Sequence, residues 1–226
     1  MTLPTPAQQL FMRRATFDDL ATLARWRMES ALEIQERERR LGLPSTGQWA
    51  TPYARWKLER WIDRGVTWMA SLDPYPLALP IATVTLDPEP EPAVLADNGE
   101  YTPLWTPDEL ATSAYYMSKL NRAPGSELRG VGETLVRWCQ NQAAVAGAER
   151  VRADVWTGWW PASPDRQNKK LQDWYLKLGF RHVRTVPDVV SGFLIEIDAH
   201  LIPEISSRVC MAAAAAGPPS ATEAEI

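Results

Sequence analysis

Two periodicities share this chain, and where one gives way to the other marks the elements. Gln9 to Arg14 reads as a short strand. Thr16 then looks like an N-cap, with Asp18 and Asp19 in the first turn, where a helix dipole favours negative charge. Leu20, Leu23, Ala24 and Met28 recur at helical spacing, and the mixed-sign run Glu33 to Arg40 continues that helix as a solvated face. Leu41 to Gly47 breaks the pattern. Pro52 opens a second helix, with Trp56, Leu58, Trp61 and Ile62 on its apolar side and Gly65 as its stop. Strands are expected over Val66 to Leu72 and Leu77 to Leu86, with a turn at Asp73 to Pro76; Pro80 interrupts the second strand or marks its true beginning. Leu86 to Leu110 carries seven acids, no base and many prolines, and reads as a surface insertion with a short helix near Pro107.

The second half alternates more regularly. Ala114 to Leu120, Val151 to Trp156, Phe180 to Val186 and Phe193 to Ile197 read as strands. Between them Leu128 to Ala146 and Asn168 to Leu178 read as helices, stopped by Gly147 and Gly179. Residues 1–202 form one expected domain, and beyond Pro203 the Ala- and Pro-rich residues 203–226 read as a flexible tail.

Composition narrows the function. The 226 residues carry 24 basic and 28 acidic side chains, which argues against a nucleic-acid partner. No apolar stretch reaches the roughly 20 residues of a membrane span, and Met1 to Gln9 lacks the pattern of a secretory signal, so a soluble cytoplasmic protein with no membrane partner is expected. Cys139 and Cys210 read as free thiols, and two cysteines with only His182 and His200 make no zinc set, so no metal is expected. Eleven tryptophans are unusual: they can fill a core or line a groove for an apolar or cationic ligand.

The chemistry concentrates at Glu127-Leu128-Arg129-Gly130-Val131-Gly132-Glu133, between a strand and a helix. Free N–H groups and the positive dipole end at a helix N-terminus can hold a phosphate, and glycines let an anion reach that backbone. The same turn could also merely pack helix on sheet. A dinucleotide fingerprint would need a third glycine where Leu135 stands, and a Walker loop would need Gly-Lys-Ser/Thr.

A second motif, some forty residues beyond the turn, gives it a context. Leu128-Arg129-Gly130-Val131-Gly132-Glu133-Thr134-Leu135, together with Asn168-Lys169-Lys170-Leu171-Gln172-Asp173-Trp174-Tyr175-Leu176-Lys177-Leu178-Gly179-Phe180, resembles the GCN5-related N-acetyltransferase (GNAT) superfamily, most closely from about Tyr115 to Val186. The resemblance implies an α/β (α+β) fold: a mixed, mostly antiparallel central sheet flanked by helices, with a splayed parallel strand pair at the cofactor site. It implies an acetyl-CoA-dependent N-acetyltransferase in which a primary amine attacks the thioester directly. The amides from Leu128 to Glu133 (Leu128, Arg129, Gly130, Val131, Gly132 and Glu133) would hold the pyrophosphate. The main chain at Leu120 and Asn121 would pair with the pantetheine arm and supply an N–H to the oxyanion. Asn168 would touch the cofactor, and Tyr175 would protonate the leaving thiolate.

One residue departs from the family pattern. Glu127 stands where relatives favour Gln or Arg, so Arg129 or Arg122 would supply the cation. Asp154, Glu29 and Glu33 are candidates for the general base. Trp26, Glu29 and Trp156 are expected at the acceptor site, with Trp56, Trp61, Trp159 and Trp160 as further walls. The acceptor expected is a small-molecule amine, a metabolite or antibiotic; a protein α-amine or lysine, or a GNAT-fold module without turnover, stays open. Homodimers are common among relatives.

Overall fold

The computed structural model describes residues 9–40, 54–75, 78–89, 93–95, 101–126, 128–155, 169–186 and 192–212. Eight strands form one sheet in the order β10-β1-β2-β3-β6-β7-β9-β8, and β4 and β5 (Ala93–Leu95, Tyr101–Pro103) pair as a separate hairpin. The strands of the large sheet are β1 (Leu10–Arg14), β2 (Thr67–Ser71), β3 (Ala82–Asp87), β6 (Ala114–Arg122), β7 (Arg150–Val155), β8 (Arg181–Thr185), β9 (Phe193–Asp198) and β10 (Val209–Met211). Six helices accompany them among the described residues: α1 (Leu20–Arg40), α2 (Ala54–Asp63), α3 (Pro107–Leu110), α4 (Val131–Val145), α5 (Lys169–Lys177) and α6 (Pro203–Arg208). No helix among the described residues is long and apolar enough to cross a membrane.

Side chains alternate across a strand, so each face of this sheet collects every second residue. One face takes Met12, Ala82, Val84, Leu86, Met117, Val151, Ala153 and Val155 into the main core, under Leu135, Val136, Trp138, Cys139 and Ala143 of α4 and Tyr175 of α5. Trp68 meets Trp138 edge-to-face there at 5.0 Å. On the other face α1 and α2 bury Leu23, Trp26, Leu58 and Ile62 against Ala15 and Met69. Beside them Leu104 and Trp105 pack on Tyr116, Leu194 and Val186. A 3-10 turn at Phe17–Asp19 leads into α1, with Thr16 and Asp19 as a reciprocal cap.

The sheet is antiparallel except at two places: β1 with β10, and β6 with β7. The second exception positions the site. The two strands pair only from Ala114 to Tyr116 against Arg150 to Arg152, yet β6 runs on to Arg122 and β7 to Val155. Past Tyr116 they part, with no pairing between them. The splayed parallel pair of the expected fold is present.

Three expectations need correction. The segment after Pro203 is not all tail: α6 buries Ile205, and β10 adds an outer strand beside β1, because Ile205 and Val209 supply apolar surface the main core absorbs. The acidic insertion is not merely surface, since Leu104 and Trp105 are 1% and 3% exposed. Arg184 donates to the Leu104 carbonyl and pairs with Glu109 at 3.0 Å, and those bonds offset the cost of ordering a polar segment. The strand expected from Leu77 begins at Ala82, past Pro80, which lacks the N–H a ladder needs.

Candidate active site

A cavity among the described residues opens where β6 leaves β7. It encloses about 510 Å³ and is lined by Ala82, Leu120, Asn121, Arg122, Leu128 to Glu133, Leu135, Leu171, Trp174 and Tyr175. Four elements supply these walls: the start of β3, the end of β6, the turn into α4 with its first helical turns, and α5.

The turn owes its shape to Gly130. It caps α4 in the left-handed region (φ 81°), a conformation that side chains strain, and a Cβ there would meet no heavy atom within 4 Å. The turn is therefore conformationally demanding but sterically open toward the cavity. The Gly130 carbonyl accepts the first helical bond, from Thr134 N–H at 3.0 Å, so the N–H groups of Val131, Gly132 and Glu133 have no partner within the helix. Those amides, the dipole and the guanidinium groups of Arg122 and Arg129 make the cavity's mouth favourable for a diphosphate. Arg122 also donates to the Leu128 carbonyl at 3.3 Å, tying the turn to the strand. Glu133 stands in the first turn of α4, where a carboxylate suits the dipole.

The end of β6 carries a feature that the sequence did not signal. Thr83 opposes Asn121 and Thr85 opposes Ser118, so Lys119 and Leu120 together face Val84. This is a β-bulge, and Lys119 takes φ 52°, the left-handed region. It interrupts the β3–β6 register at Lys119–Leu120, beside the parted strands. Nothing in Ser-Lys-Leu announces it, for there is no glycine. The Lys119 ammonium lies 5.2 Å from the centre of the Trp61 ring of α2, on the face opposite α4.

Tyr175 closes the cavity from α5. Its ring is edge-on to Trp174 at 4.7 Å and Phe180 at 5.3 Å. Burial chiefly, then the Asp154 and Cys139 side chains, push its phenol well above its ordinary value, so the hydroxyl keeps its proton throughout the neutral range. Asp154 sits on β7 beside the split and accepts a hydrogen bond from the hydroxyl of Tyr116.

Of the residues singled out in the sequence, Leu120, Asn121, Leu128, Arg129, Gly130, Val131, Gly132, Glu133 and Tyr175 all line this cavity. Asp154 adjoins it electrostatically. Glu127, Asn168, Trp156, Trp159 and Trp160 lie outside the described residues. Trp26 is a correction: at 4% exposed it belongs to the core between α1, α2 and β2, because its helical phase coincides with Leu23 rather than with the outer face. Glu29, half-buried on α1, does not line the cavity, and Trp56 is half exposed. Leu171, Trp174, Ala82 and Leu135 were not anticipated as walls, although the helical spacing of Leu171, Trp174 and Tyr175 already placed them on one face.

No protein-family model and no curated protein matches the sequence. Solved structures do match. A GNAT-family acetyltransferase of Listeria monocytogenes 4b F2365 is similar with a TM-score of 0.57 at 12% identity, over 87% of this chain and 98% of that one. The PaiA N-acetyltransferase of Thermoplasma acidophilum, solved in complex with coenzyme A, has a TM-score of 0.53 at 18% identity, over 84% and 98%. The yncA protein of Salmonella typhimurium, solved with its cofactor acetyl-CoA, has a TM-score of 0.51 at 12% identity, over 85% and 95%. With its split sheet, its glycine turn and these likenesses, the chain has the fold of the GNAT acetyltransferases.

Proposed function

We propose that this protein is an acetyl-CoA-dependent N-acetyltransferase acting on the primary amine of a small molecule. One observation carries the reading: a glycine-shaped helix N-terminus, the end of β6 at Leu120 and Asn121, and a buried tyrosine, each expected from sequence to serve coenzyme A, line a single cavity. The relatives solved with coenzyme A or acetyl-CoA support the choice of co-substrate.

The roles follow from the chemistry of each position. Val131, Gly132 and Glu133 N–H groups, with Arg122 and Arg129, hold the diphosphate. The main chain at Leu120 and Asn121 pairs with the pantetheine arm as an added strand would. Asp154 accepts a proton from the incoming ammonium, freeing the nitrogen lone pair to form the C–N bond at the thioester carbon. A backbone N–H at the end of β6, near Leu120, donates to the oxygen as it gains charge, and such a preorganised donor is worth about 3 kcal/mol in the transition state. As the C–S bond breaks, Tyr175 gives its hydroxyl proton to the sulfur, and its phenolate is reprotonated by the second proton that the nitrogen sheds on becoming an amide. Tyr116, bonded to Asp154, holds that carboxylate toward the split.

The test is direct. Incubation with acetyl-CoA and a panel of small amines should release free thiol, and calorimetry should show saturable heat with coenzyme A. A folded chain that gives no heat with coenzyme A excludes the reading; heat without thiol release from any amine or peptide leaves a binding module instead.

A further inference from the structure

A second, smaller cavity lies at the start of β6, beside the register pair Tyr116 and Arg152. It encloses about 190 Å³ and is walled by Pro88, Leu110, Ser113, Tyr115, Tyr116 and Arg152, among others. Arg152 is only 4% exposed, which is rare for a guanidinium without full neutralisation. Its Nε donates to Glu196 at 3.3 Å and one terminal nitrogen donates to the Glu109 carbonyl. Its plane lies 4.8 Å from the Trp105 ring, whose own buried indole N–H has no acceptor among the described residues.

Arg152 shares its carboxylate with a second cation. Among the described residues, Arg150, Arg152, Arg181 and Arg184 form ion pairs with Asp198, Glu196 and Glu109 only. Four cations share three carboxylates. Glu196 is moreover held more closely by Arg181, at 2.6 Å, than by Arg152. The guanidinium at the cavity wall is thus the least compensated of the four. Among the described residues two of its five N–H donors are engaged, and a guanidinium's other donors suit a planar two-oxygen anion.

The position relates this cavity to the proposed reaction. Arg152 and Asp154 stand two residues apart on β7, so they share a face about 7 Å apart along the strand. Tyr116 joins them: it lines the cavity, opposes Arg152 in register, and donates to Asp154. We infer that the cavity binds a carboxylate through Arg152. Resting on the reading above, the carboxylate is that of the acceptor, an amine-bearing acid whose nitrogen then reaches Asp154. The same chemistry could serve a separate small carboxylate.

Steady-state acetylation of β-alanine and 4-aminobutanoate, against ethylamine and propylamine, tests this. The acids should show a KM at least tenfold below that of the matched amines. Arg152→Gln should erase the difference by raising KM for the acids alone. Ser113→Phe, which keeps Arg152 and fills the cavity from its exposed rim, should do the same if the first variant folds poorly. In parallel, acetate is titrated calorimetrically into the protein saturated with coenzyme A. Saturable acetate heat that both variants lose, without discrimination between acids and amines, assigns the cavity to a separate carboxylate. Neither acetate heat nor discrimination, or either persisting in both variants, overturns the inference. The acetate titration decides even if no amine is acetylated, so failure here and failure of the acetyltransferase reading remain distinct.

Discussion

At the scale of single residues, two side chains have consequences that can be measured. Tyr175→Phe removes one hydroxyl and keeps the ring that packs on Trp174 and Phe180. Turnover should fall by about a hundredfold, the usual worth of a positioned acid, with coenzyme A affinity unchanged by calorimetry. Because burial holds that phenol above its ordinary value near 10, wild-type turnover should show no loss of the acid between about pH 7 and pH 9. Asp19 is the second. Burial raises its carboxyl, but the Arg13 guanidinium at 2.6 and 2.7 Å and the Thr16 N–H at 2.8 Å outweigh that and leave it below the usual range. A lowered folded value means the unfolded chain binds the proton first. The stability is present above about pH 4 and lost as pH falls further. Asp19→Asn should cost about 2 kcal/mol in urea melts at pH 7, with the gap to wild type closing toward pH 3.

Elements are where the sequence could be read and where it fell silent. The turn into α4 was legible because a glycine pair precedes an apolar helical period and a second motif lies some forty residues on, and Gly130 does adopt the backbone that only glycine takes easily. Gly130→Ala should destabilise the fold by about 1 kcal/mol, the strain of a left-handed alanine. There is space for the methyl, so the variant should fold, and weakened coenzyme A binding in calorimetry should exceed its small loss in thermal stability. The bulge at Lys119 could not be read, since register is a property of two strands and Val84 must be known to oppose both Lys119 and Leu120. Trp26 misled for a related reason. Its helical phase fits either a groove or a core, and only the packing of α2 on β2 decides. The hairpin β4–β5 also escaped, its strands being three residues each.

For the whole molecule, order along the chain and order in the sheet differ most at the C-terminus. Residues 203–211 read in the sequence as part of a flexible tail, yet they complete the sheet beside its first strand. Long-range closure of this kind leaves no local signature. It is also fastened from within: buried Asn141 of α4 accepts the Ile202 N–H at 2.9 Å, and buried Gln140 donates to the Asp198 carbonyl at 3.0 Å. Ending the chain at Ile202 should uncover Leu10 and the open edge of β1. We expect a lower melting temperature and self-association in light scattering, since an unpaired edge templates another. An unchanged melting temperature and a monodisperse sample would show that β10 is dispensable.

The left-handed residue in β6 sets two demands against each other. Deleting Lys119 would let both neighbouring strands zip without interruption and relieve the one non-glycine residue with positive φ among those described. The shortened chain would resist heat better than its parent. It would also straighten the strand end that lines the cavity, so selection for sturdiness alone would edit out that shape at this single codon.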